Sequence, residues 1–187
     1  MVGSMKFLKS IELQYDELKA LSLCKAKQDV RFYLCGIYIG DGLMASTNGH
    51  IALVVDSPET SGMDLIIPAE TIDSLVKKVG NNPMMKTVDL HQLEDGFWLL
   101  DHDGSYELFK PIEGKFPDIK RIDIKKPEKI TFTDYPSFDI NYLSVFLKAG
   151  KALGLNTSPQ IFPTTEKEVA YVELNDRAHG LLMPRRI

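Results

Sequence analysis

The stretch Asp64–Gly80, DLIIPAETIDSLVKKVG, carries the pattern on which the fold turns. Its first five residues form a short apolar run ending in Pro68. Behind them Ile72, Leu75, Val76 and Val79 recur at i, i+3, i+4 and i+7, the single apolar stripe of a short helix. KTVDLHQ (Lys86–Gln92) and GFWLLDHDGSYELFKPI (Gly96–Ile112) follow, rich in strand formers and cut by turn residues. The order reads strand, helix, then three strands.

The same order stands on either side. Upstream, SIEL (Ser10–Leu13) precedes a helical segment from Tyr15 to about Lys27 with Leu18, Leu21 and Cys24 on one side. Val30–Gly40, Leu43–Thr47 and His50–Asp56 then read as strands, separated by the hairpin signals Gly40-Asp41-Gly42 and Asn48-Gly49. Downstream, PSFDI (Pro136–Ile140) leads to a helix over Asn141–Leu153, with Leu143, Phe146 and Leu147 inward and Gly154 as its stop. PQIFPT, VAYVEL and GLLMPRRI complete the set as strands. The expected class is α+β, built from three βαβββ repeats of roughly 60 residues, with helices on one face of antiparallel sheets. Two units side by side cover each other, so the third is expected to lack a partner inside the chain.

Composition narrows the function. The 187 residues carry 22 Lys and Arg against 26 Asp and Glu, a net charge of −4, so bulk electrostatics does not favour nucleic acid. A nucleic-acid role requires lysines gathered on one face, and the helices offer some. Lys19, Lys27, Lys77, Lys78 and Lys148 fall away from the apolar stripes, and Lys151 joins them in the set expected to face phosphates. Helix macrodipoles favour cations near C-termini in any case, so the shared pattern across three helices carries the reading.

Catalysis is hard to assemble. The four histidines, His50, His91, His102 and His179, show no metal-ligand spacing, and Cys24 and Cys35 read as buried free thiols. The acids of DHDG (Asp101–Gly104) read as a hairpin turn, and there is no nucleophile elbow, phosphate loop or dinucleotide fingerprint. We expect no enzyme, no cofactor and no metal. No apolar run approaches membrane-spanning length, and a cytoplasmic protein without a membrane partner is the expectation. Met1–Ser4 of the MVGSM start read as an expression scar and are set aside.

At QDVRFYLCGIYI (Gln28–Ile39), ASTNGHIALVV (Ala45–Val55) and GKFPDIKRI (Gly114–Ile122) the chain resembles the bacterial sliding clamp, the β subunit of DNA polymerase III. FDINYLSVFLKA (Phe138–Ala149) and MPRRI (Met183–Ile187) resemble the last helix and the end of that family's third domain. The resemblance implies a shortened clamp: residues 5–124 as one complete domain of two halves, and 125–187 as a single half-domain. It further implies a groove for short peptide motifs on polymerases and clamp loaders. Pro117, Arg121 and Ile122 would form one wall, with Phe116 anchoring it. Leu34, Thr47, Gly49, His50, Ile51 and Ala52 would line the middle, and Asp139, Tyr142, Leu181, Met183, Pro184, Arg185 and Arg186 the rest. Ile51 stands where the family has Arg and Ala52 where it has Leu. Gln28 and Tyr33 match positions near the DNA path.

Two functions remain open on this reading. One is a processivity clamp that encircles duplex DNA without regard to sequence. The other is a module that binds clamp-binding peptides or a host clamp without forming a ring. Rings of the family it resembles close with twelve such halves, so the resemblance implies a homo-oligomer, with four chains favoured and a dimer through the last unit as the fallback.

Overall fold

Every opening strand runs into its helix without a loop, and the strand then leaves its own unit. In the computed structural model, which describes residues 6–81, 83–128, 135–165 and 167–185, β1 (Lys9–Gln14) leads into α1 (Tyr15–Cys24). β5 (Asp64–Pro68) leads likewise into α2 (Ala69–Val79). β2 (Gly36–Gly40), β3 (Leu43–Thr47) and β4 (Ile51–Asp56) follow α1; β6 (Thr87–Gln92), β7 (Trp98–His102) and β8 (Ser105–Phe109) follow α2. β1 pairs antiparallel with β6, and β5 with β2, so the first two units exchange their opening strands. The result is one sheet in the order β1-β6-β7-β8 and another that begins β5-β2-β3-β4.

The third unit comprises α4 (Ile140–Ala152), β9 (Gln160–Phe162), β10 (Ala170–Glu173) and β11 (Ala178–Leu182); a single turn, α3 (Ile119–Ile122), precedes it in the connector. The fold is α+β, with helices against antiparallel sheets. Two expectations need correction. The strand predicted from PSFDI does not form over residues 135–139, which run irregularly into α4. The strand exchange supplies the reason: an opening strand is held by a sister unit's sheet, and the third unit has no sister here to exchange with.

Nor is the third unit left uncovered inside the chain. β11 adds to β4, with Ile51 opposite Leu182 and Val55 opposite Ala178, and this extends the second sheet to seven strands. α4 packs on α1 beside that joint. Phe146, Ala149, Val172 and Leu182 thereby enter the same apolar core as Leu18, Leu21, Leu53 and Leu100. Leu147, expected inward with Phe146, is exposed instead. α1 ends at Cys24, short of Lys27; the Cys24 thiol is fully buried, which pushes its pKa up to about 12, and Cys35 is half-buried.

β2, β3 and β4 are buried along almost their whole length because both faces are covered. The helices cover one face. On the other, Phe116 stacks on Tyr38 at 5.2 Å, and Ile119 joins Leu34, Ala52, Val54 and Leu181 in a second core. The basic, proline-containing segment between the second and third units is therefore a lid on the outer face of the seven-stranded sheet.

Two features lock the joint. Gly180 of β11 has no Cβ because the Phe146 ring fills that space, with Cδ1 and Cζ at 2.8 Å from the position. Arg177, in the turn before β11, donates to the Asp56 carbonyl at 3.0 and 3.2 Å and pairs with Glu17 at 3.3 Å and Glu59 at 3.4 Å. Glu17 is buried, its Oε2 meets no described partner, and burial raises its pKa although Arg177 pulls the other way.

Gly180→Ala is expected to destabilise the chain by about 1–3 kcal/mol, since an added methyl must displace an aromatic ring; urea unfolding reads this directly, with the third unit's signal lost first. Glu17 gives a pH signature. Because its folded pKa is raised, its contribution to stability is fully present below the ordinary glutamate value and is lost as pH rises through the raised one. Glu17→Gln is expected to flatten that slope in thermal melts taken from pH 4 to pH 7.

Candidate functional site: a groove at the β4–β11 joint

The groove is built where the two strands meet, beginning with the turn before β4. Asn48 Oδ1 accepts from the amides of His50 at 2.9 Å and Ile51 at 3.1 Å. Thr47 Oγ1 donates to the Ile51 carbonyl at 2.7 Å and accepts from the Gly49 amide at 3.0 Å. Gly49 sits at φ +88°, a backbone state that side chains rarely adopt, so the turn is rigid and presents His50 outward. The His50 ring stacks on Tyr142 of α4, centroids 5.5 Å apart.

The tail past β11 closes this end. The Met183 amide donates to the His50 carbonyl at 3.0 Å, and the Arg185 amide to the Ser137 carbonyl at 2.7 Å. Asp139 caps α4 by accepting from the Asn141 amide at 2.8 Å, which fixes Tyr142 one turn on. Gly49, His50, Asp139, Tyr142, Met183, Pro184 and Arg185 thus enclose a cavity of about 400 Å³.

A larger cavity of about 600 Å³ shares Gly49, His50 and Met183 with the first, so the two form one continuous groove. Ala52 and Leu181 provide its apolar base, and Arg121 and Ile122 a wall from the connector; the Ile51 side chain, one residue from Ala52 along β4, turns instead into the helix-side core. That wall is braced from outside the groove: Asp123 meets His179 Nε2 at 2.7 Å, and Lys126 pairs with Glu173 at 2.9 Å over the Phe162 ring.

Two residues assigned to the groove sit elsewhere. Leu34 is buried beneath the base in the second core and contributes no surface. Pro117 lines a separate cavity of about 440 Å³ with Tyr38, Asp41 and Asp64, because the chain before α3 runs down the far side of the Tyr38–Phe116 stack. Arg186 lies outside the described residues.

Sequence reasoning missed the opposite wall: Thr164, Lys167, Glu168 and Val169, from the β9–β10 loop, had no signal beyond Val169 opening a predicted strand. It also missed Arg31. Its guanidinium lies 3.0 Å from where a Gly49 Cβ would be and clasps Asp29 at 2.8 and 3.0 Å, holding that carboxyl down at about 2. The i, i+2 spacing of Asp29 and Arg31 was the available hint.

The residues assigned to DNA divide into two groups. Lys27, Gln28, Lys77, Lys148 and Lys151 are exposed, and these four lysines make no ion pair with a described residue. Lys19 is half-buried and donates to Asn81 Oδ1 at 3.0 Å, while Lys78 pairs with Glu107 at 2.7 Å. Tyr33 is half-buried against Gly114. Among the described residues no group of three or more His, Cys, Asp or Glu is placed to hold a metal ion, and no helix is long and apolar enough to cross a membrane.

No protein-family model and no curated protein matches the chain. Solved structures do. The DNA polymerase sliding clamp of Pseudomonas aeruginosa, solved with a ligand, superposes at TM-score 0.72 with 17% identity, covering 100% of this chain and 68% of that one. The chain has the sliding-clamp fold. The DnaN sliding clamp (DNA polymerase III subunit beta) of Bartonella birtlesii, bound to griselimycin, matches at TM-score 0.69 and 17% identity, covering 100% of this chain and 69% of its own. Caulobacter crescentus pol III beta matches at TM-score 0.67 and 16% identity with the same coverage. At such identities the clamp fold is what is shared; the side chains in the groove are this chain's own.

Asp139→Ala is expected to cost about 1 kcal/mol by removing the cap of α4 and to loosen the Tyr142–His50 stack. Asp139→Asn, which keeps an acceptor, is expected to leave thermal stability within a few tenths of a kcal/mol of wild type.

Proposed function

We propose that the chain is a sliding-clamp-like processivity factor that holds replication proteins to duplex DNA through the groove at the β4–β11 joint. The observation that carries this reading is the continuous groove itself, apolar at its base and edged by Arg121, Arg185 and Asp139, on a chain with the sliding-clamp fold. An extended peptide lays apolar side chains into such a base while edge charges hold its backbone and termini. Residues 5–124 act as the complete clamp domain and 125–187 as a half-domain that completes the groove. The polymerase and its clamp loader are the peptide-bearing partners. Lys27, Lys77, Lys148 and Lys151 face phosphates across water, a sequence-independent contact compatible with sliding. Encirclement requires several chains, four in the favoured ring.

One observation favours a second reading. Every groove residue comes from a single chain, and the third unit is covered by α1 and β4 of that same chain. A monomer therefore suffices for peptide binding, as a non-ring module that engages clamp-binding peptides or a host clamp would require. Retention on closed circular DNA, lost on linearisation, identifies the ring; peptide binding without retention identifies the module.

A peptide of the Gln-Leu-x-Leu-Phe type is expected to bind at micromolar strength, about −8 kcal/mol, by titration calorimetry. Tyr142→Ala with removal of Arg185–Ile187 is expected to abolish the heat. For DNA, Lys77, Lys148 and Lys151 all changed to Glu are expected to weaken retention in a salt-dependent way while circular dichroism stays unchanged. Equal retention of the triple variant would refute phosphate contact by the helix layer.

A further inference from the structure

The joint inside the chain follows a rule: the last strand of one unit, β4, pairs antiparallel with the last strand of another, β11. β8 is the last strand of the second unit, it ends the four-stranded sheet, and no described strand lies on its outer side. Its hairpin places Asp103 and Gly104 at φ +47° and +80°, the two-residue turn whose flanking pair, His102 and Ser105, exchanges hydrogen bonds. Bonded and non-bonded pairs alternate from there, so the amides and carbonyls of Tyr106 and Leu108 point away from β7 into the open edge. The Tyr106 carbonyl indeed meets Lys78 Nζ, at 3.1 Å from outside the sheet.

The other edges are guarded more fully than this one, where Lys78 meets a single carbonyl. β9 is three residues long between Pro159 and Pro163. The Ile66 carbonyl of β5 already accepts from the Ile112 amide. β1 carries Lys9 and Glu12. On β8, Tyr106 is 56% and Leu108 59% exposed, two large apolar side chains on one face of a bare edge.

We propose that β8 is a self-association surface whose occupant is β8 of a second copy, paired antiparallel about a two-fold axis through Glu107. The register follows from the directions of the backbone groups: Tyr106 opposite Leu108 of the partner subunit, and the reverse, makes two hydrogen-bonded pairs and gathers the four exposed side chains into one cluster. An antiparallel contact between identical strands is isologous, so it closes at two copies and does not run on into a fibre. The Tyr106 carbonyl has two lone pairs and accepts from Lys78 and from the neighbouring strand together. The two Glu107 side chains, opposed on the helix side, each keep their own Lys78. The occupant is a second copy because the edge complements itself in strand direction, apolar content and length.

The inference rests on the assembly part of the ring reading and is independent of peptide binding. Sedimentation of the full chain at tens of micromolar is expected to show association for wild type. Leu108→Lys, an exposed position, is expected to raise the dissociation constant by about tenfold or more, as it sets charges beside the two-fold. Gln160→Lys, at the exposed position of β9, is expected to change nothing. In a Cys35→Ser background, Glu107→Cys is expected to form a disulfide-linked dimer on mild oxidation, since residues facing each other across the axis in a non-bonded pair lie within disulfide reach. Association that survives Leu108→Lys, or an associating Glu107→Cys chain that does not cross-link, overturns this joint and leaves the ring reading standing. A wild type that stays monomeric overturns both.

Discussion

The pairing of β4 with β11 is the constraint on which the remainder of the molecule depends. It joins a unit with no exchanged opening strand among the described residues to a domain that is already closed. It also sets α4 against α1 and brings the turn at Asn48-Gly49 beside the chain end at Met183. Most of its strength comes from apolar burial, with Phe146, Val172 and Leu182 each worth about 1.5–3 kcal/mol by transfer from water. The ion network around Arg177 contributes differently. Burial raises the Glu17 pKa in spite of the adjacent guanidinium, so desolvation outweighs the attraction and the pair adds little net stability. Its use is alignment: three acceptors around one guanidinium fix the turn before β11 and hence its register on β4.

Register matters here because the groove is made of side chains from both strands. A slip of one residue would turn Leu181 into the helix-side core and leave Gly180 facing the groove. Gly180 is also the one residue of β11 that fits under the Phe146 ring, so packing on the helix side fixes the surface on the groove side. Core packing and binding-site geometry are two faces of one strand pair.

The repeat was legible because it is written in periodicity. The stripe Ile72, Leu75, Val76, Val79 and its counterparts gave helix positions close to those observed, and the two hairpin signals bounded β3, whereas β2, expected from Val30, begins at Gly36 after a 3-10 turn at Phe32–Leu34. Strand exchange was not legible, because DLIIP carries the same alternation whichever unit's sheet receives it. That gap produced two of the errors in the third unit, a strand expected at PSFDI and a face expected to be bare. The groove was partly legible through local chemistry: Thr47, Asn48 and Gly49 form a turn that any sequence reading finds. Its far wall was not, since Thr164 and Lys167 gain their place only from the β9–β10 hairpin's position over the connector. Pro117 and Leu34 were misplaced because chain neighbours of a groove residue need not share its side of a sheet.

The net negative charge of the chain is not spread evenly over its surface. Lys77, Lys148 and Lys151 belong to the helix layer, with no carboxylate among the described residues paired to them. Across the seven-stranded sheet, on the side away from the helices, Asp41, Asp64 and Asp118 gather about Tyr38, whose hydroxyl is pushed up to about 12 by burial and then by these acids. The connector sets Lys115 and Lys120 beside these carboxylates, with Lys120 3.9 Å from Asp41, so the outer face is mixed in charge. The base of the groove lies on the outer side of the β4–β11 joint, across the sheet from the lysines of the helix layer.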